Sequence, residues 1–145
     1  MAPDGLGRVL SGDAVRVSDF KGKVVVVSFW ATWCPYCLKE LPILANIQRV
    51  AGSEKLAVVA VNTEDRQVFR NVVRALEKEP GLGLRLTYDP DKASQKAYGV
   101  SGLPHMLIID REGRIVRLYV GYGESQLDSI AADLNKALAE PAAGG

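Results

Sequence analysis

From Val24 to Trp30 the chain reads Val-Val-Val-Val-Ser-Phe-Trp, and four residues later a pair of cysteines opens a stretch of helical period. Four consecutive valines leave no polar face for water, so this run has to be a strand covered on both sides. Such a strand needs helices above and below it, which predicts an α/β layer structure. The rest of the chain keeps the same alternation. Residues 8–17 read as one or two short strands around the turn cluster Ser11-Gly12-Asp13, before the buried strand at 23–30. A helix is expected from about Cys34 to Val50, with Leu38, Leu41, Leu44 and Ile47 facing inward. A strand at 56–61 follows, then a helix at 65–79 with Val68, Phe69, Val72, Val73 and Leu76 inward, stopped by Glu79-Pro80-Gly81. Residues 84–87 suit a short strand and 91–98 a short helix. Strands at 106–109 and 115–120 flank the hairpin turn Asp110-Arg111-Glu112-Gly113. A last helix should run from about Glu124 to Ala139, packing Leu127, Ile130, Leu134 and Leu138.

The 145 residues suit one domain, with residues 1–7 and 141–145 expected to be flexible ends. Eighteen basic and seventeen acidic side chains leave a net charge of +1. That balance, with no basic run interleaved with aromatics, gives no footprint for nucleic acid. The longest apolar run is of strand length, too short for a membrane span. Met1-Ala2-Pro3-Asp4-Gly5 has neither a basic n-region nor a hydrophobic h-region. Two readings follow: a cytoplasmic protein, or an exported one whose signal or anchor is not included here.

The two cysteines of the chain, Cys34 and Cys37, are three positions apart. A secreted disulfide scaffold carries more cysteines at wider spacings, so this pair reads as redox or metal chemistry. A structural zinc site wants four ligands, and the chain offers two thiols and one histidine. Placement at a strand-to-helix junction favours redox chemistry. The first amides of a helix have no partner within it, and its dipole favours negative charge. The Cys34 thiolate is therefore stabilised, with an expected pKa of about 7 or lower. Pro35 fits the first helical position because its missing N–H costs nothing there. Cys34 is expected to be the exposed nucleophile and Cys37 the inward resolving thiol, with no cofactor beyond their disulfide. Two unrelated core cysteines are the alternative.

The motifs resemble the thioredoxin superfamily. Phe29-Trp30-Ala31-Thr32-Trp33-Cys34-Pro35-Tyr36-Cys37 is similar to its active-site segment, Pro42 to its helix-bending proline, and Gly121 to a glycine near its last strand. Tyr98-Gly99-Val100-Ser101-Gly102-Leu103-Pro104 looks like its cis-proline loop. The wording Trp-Ala-Thr-Trp-Cys, the extra helix and strand at about 65–88, and Glu40 point to the TlpA/ResA-like branch. The resemblance implies a thioredoxin fold: a central mixed β-sheet flanked by helices, with a helix–strand insertion and an N-terminal strand or hairpin. It further implies a monomeric, extracytoplasmic protein-disulfide reductase. Its implied partners are disulfide substrates such as oxidised apocytochrome c, and a membrane thiol reductant that supplies electrons. Pro104 should turn the chain so that the Leu103 backbone faces a substrate strand.

Several positions stay open. Minimal thioredoxins have a buried aspartate where this chain has Ser28, which leaves Glu40 to move protons near Cys37, or to be an ordinary exposed helix glutamate. Pro35-Tyr36 is similar to the glutaredoxin dipeptide. Since potentials run from roughly −270 mV for thioredoxin to about −120 mV for DsbA, the direction of electron flow stays open. His105 follows Pro104 where a threonine is usual. It is either a structural residue or, as His⁺, a group favouring the Cys34 thiolate. Trp33 is either part of a docking patch with Tyr36 or a lid packed over the helix start, whereas Trp30 reads as core. A Cu(I) chaperone is the rival function, although such thioredoxin-fold proteins resemble Cys-x-x-x-Cys. A glutathione-dependent glutaredoxin and a peroxidase fit less of the chain.

Overall fold

The computed structural model describes residues 2–76, 83–121 and 124–139. The valine run forms β3 (Val24–Trp30), and every residue of it is buried. It pairs in parallel with β4 (Leu56–Asn62), also buried throughout, and antiparallel with β6 (His105–Ile109). Among the described residues the sheet extends around this centre to seven strands in the order β2-β1-β5-β4-β3-β6-β7. The others are β1 (Gly5–Arg8), β2 (Ala14–Arg16), β5 (Arg85–Tyr88) and β7 (Ile115–Val120). The helices are α1 (Pro35–Ala51), α2 (Arg66–Leu76), α3 (Ala93–Tyr98) and α4 (Glu124–Ala139).

Alternation along β3 divides the core. Val25, Val27 and Phe29 point to one face, where they meet Leu6, Val15, Phe20, Leu107 and Ile109. Val24 and Val26 point to the other, against Leu44 of α1 and Ile130 and Leu134 of α4. Trp30 continues that second face into a cluster with Cys34, Cys37, Leu41 and Ala60. Fully burying a side chain of this size contributes about 1.5–3 kcal/mol, so the β3–β4 pair anchors the end on which the cysteines sit.

Three departures from the sequence expectations have local causes. Residues 1–7 were expected to be flexible, yet 5–7 lie in β1. Leu6 is fully buried, and the Leu6 and Gly5 carbonyls accept from Thr87 Oγ1 at 2.7 Å and Ser94 Oγ at 2.8 Å. The inward face of α1 is Cys37, Glu40, Leu41, Leu44 and Ala45, a cleaner i, i+3, i+4, i+7, i+8 stripe than the predicted one. Leu38 falls outside it and is exposed. The predicted helix at 91–98 starts late, as α3. Asp91 and Lys92 take left-handed φ values of 58° and 56°, and the Asp89 carboxylate caps the Ser94 and Gln95 amides. The stop signal at Glu79-Pro80-Gly81 and the tail at 141–145 lie outside the described residues, as does the side chain of Leu127.

Candidate active site at the start of α1

Past Trp30 the chain leaves the sheet in a tight turn, closed by the Cys34 N–H donating to the Ala31 carbonyl at 3.1 Å. Cys34 is the N-cap of α1, in extended conformation, and Pro35 follows as its first helical residue. The cap is a sulfur: the Cys37 backbone N–H donates to Cys34 Sγ at 3.3 Å. One otherwise unpartnered helix amide thus points at the atom that becomes negative when the pair is reduced. Cys34 and Cys37 are joined as a disulfide, with their Cα atoms 5.3 Å apart. Cys34 was expected to be exposed, but in the disulfide it keeps 4% of its surface, against 1% for Cys37. The cause is packing: both sulfurs belong to the apolar cluster of Trp30 and Leu41, against which Leu103 also rests.

The surroundings are uneven. Trp33 is 68% exposed and Tyr36 48%, so Trp33 does not pack over the helix start as a lid. The Lys39 ammonium lies 5.6 Å from the Tyr36 ring centre, beside exposed Pro35. Trp30 is fully buried, as its core reading required. On the facing loop the Leu103–Pro104 peptide is cis, and the Pro104 carbonyl accepts from the Gly121 N–H at 2.8 Å. Leu103 reaches the dithiol cluster, and Pro104 is buried next to it in sequence.

Glu40 is not an exposed helix glutamate. It is 5% exposed, one turn beyond Cys37 on the same face, and its Oε2 is buried without a hydrogen-bond partner. Burial pushes its pKa up to about 7, so near neutral pH it can both take and give a proton. Ser28, in the position of the missing aspartate, is buried on the sheet face that α1 covers.

His105 is placed differently. It stands opposite Phe29 in the β3–β6 ladder and meets that ring edge-on, with centroids 5.7 Å apart. Phe29 points to the sheet face away from α1, so the imidazole lies across the sheet from Trp30 and Cys37. It is 3% exposed, both ring nitrogens lack partners, and burial lowers its pKa. The structure therefore supplies no imidazolium to the Cys34 thiolate.

The sequence reading missed Thr32, Asn62 and Glu64. The Glu64 carboxylate accepts from the Thr32 N–H and Thr32 Oγ1, each at 2.7 Å, and from Asn62 Nδ2 at 3.1 Å. The available signal was the polar run Asn62-Thr63-Glu64-Asp65 at the carboxyl end of a buried strand, where open α/β sheets place their sites. A cavity of about 550 Å³, walled by Phe20, Lys23, Val25 and Arg111 among others, lies at the opposite end of β3 and takes in none of the site residues. Among the described residues no three or more His, Cys, Asp or Glu side chains gather as a metal site, and no helix is long and apolar enough to cross a membrane.

The Redoxin family model matches residues 2–136. The chain belongs to the Redoxin family. Within the thioredoxin superfamily this redoxin is TlpA/ResA-like, with the thioredoxin fold. It is 34% identical over 120 residues to the thiol-disulfide oxidoreductase ResA of Bacillus subtilis strain 168, covering 83% of this chain and 65% of that relative. A Chlorobium tepidum protein described as a thiol:disulfide interchange protein DsbE superposes with a TM-score of 0.81 at 30% identity over 94% of each chain. The exposed lipoprotein thioredoxin Etrx1 of Streptococcus pneumoniae TIGR4 gives a TM-score of 0.73 at 30% identity, over 92% of this chain and 99% of that one.

Proposed function

We propose that this redoxin is a thiol–disulfide oxidoreductase that reduces protein disulfides outside the cytoplasm, in the manner of the cytochrome c maturation reductases. The observation that carries the reading is the Cys34–Cys37 pair at the N-cap of α1, with the Cys37 amide on Cys34 Sγ. In the reduced protein the Cys34 thiolate attacks one sulfur of a substrate disulfide. The substrate S–S bond breaks, a mixed disulfide forms, and the first substrate thiolate leaves and takes up a proton. Cys37 then gives its proton to the Glu40 carboxylate, and its thiolate attacks Cys34 Sγ. The bond between Cys34 and the substrate sulfur breaks, the second substrate thiolate leaves and takes up a proton, and the protein is left with its own disulfide. Two electrons pass to the substrate, and a dithiol donor at the membrane restores the pair.

Trp33, Pro35 and Tyr36 form one wall of the docking surface and Leu103 with Pro104 the other, where an extended substrate segment pairs by strand addition. Etrx1 is an exposed lipoprotein, which supports action outside the cytoplasm. The ResA relative, a thiol-disulfide oxidoreductase, supports thiol–disulfide exchange as the activity, and oxidised apocytochrome c is the proposed substrate.

The test is the equilibrium reduction potential of the Cys34–Cys37 pair, measured against glutathione and dithiothreitol buffers. A value well below the glutathione poise supports the reductase. A value near DsbA's, about −120 mV, reverses the electron flow and replaces the reductase by an oxidase or isomerase.

A further inference from the structure

We propose that Glu64 is a positioning residue that sets how Trp33 and Cys34 meet a protein substrate. The proposal rests on the docking role given to Trp33 above. Glu64 lies two residues past the end of β4, immediately before Asp65, whose carboxylate accepts from the Val68 N–H at 2.9 Å at the start of α2. Its carboxylate reaches across to the dithiol loop and takes three donors. Thr32 N–H and Asn62 Nδ2 share Oε1, and Thr32 Oγ1 donates to Oε2. The Glu64 N–H in turn donates to Asn62 Oδ1 at 2.8 Å, which fixes the backbone that carries the carboxylate.

Two acidic residues thus serve the two sides of one dithiol differently. Glu40 has a buried oxygen without a partner and a pKa near neutrality, the properties of a proton carrier. Both Glu64 oxygens are engaged, the property of a clamp. Hydrogen bonds to a carboxylate are roughly twice as strong as neutral ones. Glu64 holds a residue whose neighbours differ sharply: Ala31 is fully buried, whereas Trp33 is 68% exposed. The sheet does not depend on this clamp. β3 and β4 pair over seven residues, and the Thr63 N–H extends the ladder by donating to the Trp30 carbonyl at 2.9 Å. Beyond that bond Thr32 is held by its two bonds to Glu64, and Cys34 by its N–H on the Ala31 carbonyl and by the Leu38 and Cys37 N–H groups on its carbonyl and sulfur. Losing the Glu64 bonds frees the indole of Trp33 while the sulfur chemistry within α1 stays in place.

A substrate comparison tests this, because a folded docking surface matters to a protein disulfide and not to a small one. Rate constants are measured with the reduced protein for insulin and for 5,5′-dithiobis(2-nitrobenzoate), with tryptophan anisotropy decay recorded alongside. In Glu64→Gln the charge is gone, and the amide NH2 meets Thr32 Oγ1 only as a donor, so a neutral bond replaces the charge-assisted one. In Thr32→Val the hydroxyl is gone. In both, the ratio of the insulin rate to the small-disulfide rate should fall about fivefold, with faster local tryptophan motion. Thr32→Ser keeps both donors and should restore the wild-type ratio. An unchanged ratio in Glu64→Gln and Thr32→Val, or equal slowing on both substrates, overturns the proposal. Trp33→Ala separates the two readings. If it leaves the insulin rate at wild type, the docking role fails and the proposal with it. If it slows insulin while Glu64→Gln does not, the positioning role alone fails.

Discussion

Glu40 follows Cys37 by one helical turn on the buried face of α1, and its Oε2 lies there with no hydrogen-bond partner. A carboxyl group in that setting prefers to be neutral, and its pKa stands at about 7, against an ordinary 4.5. The folded protein therefore binds a proton that the unfolded chain has given up between those values. The neutral carboxyl contributes stability that is complete below about 4.5 and lost as the pH rises through about 7. Glu40→Gln removes this dependence. Denaturation of the oxidised proteins in urea should show equal stability at pH 4, with the variant more stable at pH 8 by about 1–2 kcal/mol once solvent screening is allowed for. The same variant should resolve mixed disulfides several-fold more slowly, because Cys37 loses its proton acceptor. Equal rates for the two proteins would remove Glu40 from the chemistry.

His105 gives a second prediction of opposite sign. Its pKa is lowered by burial, so the fold favours the neutral ring, and this contribution is present above the ordinary value of 6.5 and lost as the pH falls through the folded value. His105→Leu removes two buried nitrogens without partners and keeps a side chain of similar bulk. It should match or exceed the wild type in stability at pH 7 by about 1 kcal/mol, with the gap widening at pH 5. The reduction potential should move by less than about 10 mV, since the ring faces Phe29 across the sheet from the sulfurs. A larger shift on redox titration would return His105 to the site.

The sequence carried much of this site because its main features are local. A run of valines can bury both faces in one way, and a proline directly after Cys34 marks the start of a helix, so the dithiol junction was legible from adjacent residues. The cis-proline loop was legible through its resemblance, although it lies some seventy residues away in the chain. What was not legible depends on rotation and on distant pairing. Leu38 and Glu40 differ by two positions on a helix, and whole-stripe geometry decides which is buried; a leucine-based count picked the wrong one. The face taken by His105 follows from its register opposite Phe29, which the sequence does not encode locally. The bond between Thr32 and Glu64 spans 32 positions and no short motif announces it.

The ordering of the N-terminal residues gives a third prediction. Gly7 has a φ of +83°, and a Cβ there would run into the Tyr88 carbonyl oxygen, so β1 can lie against β5 at this point because the residue is glycine. Gly7→Ala combines a left-handed backbone with that clash and should destabilise the oxidised protein by about 2–4 kcal/mol. Thermal unfolding followed by far-ultraviolet circular dichroism reads the loss. A melting temperature equal to the wild type would mean that β1 contributes little to the fold.

Cys34 and Cys37 carry different burdens in the proposed exchange. Cys34 Sγ receives the Cys37 amide, and in the disulfide both residues are buried, Cys34 at 4% exposure and Cys37 at 1%. In the proposed exchange Cys34, at the start of the helix, captures the substrate sulfur and Cys37 acts on what Cys34 has captured. Cys34→Ser should lower turnover of a protein disulfide by more than about a hundredfold and yield no covalent complex. Cys37→Ser leaves the nucleophile and its amide donor intact and removes the resolving thiol, so the mixed disulfide forms and persists. Non-reducing electrophoresis and intact mass measurement should show that adduct, released by dithiothreitol. Adducts through Cys37 in the Cys34→Ser protein, with none in Cys37→Ser, would exchange the two roles and require the helix to open before reaction.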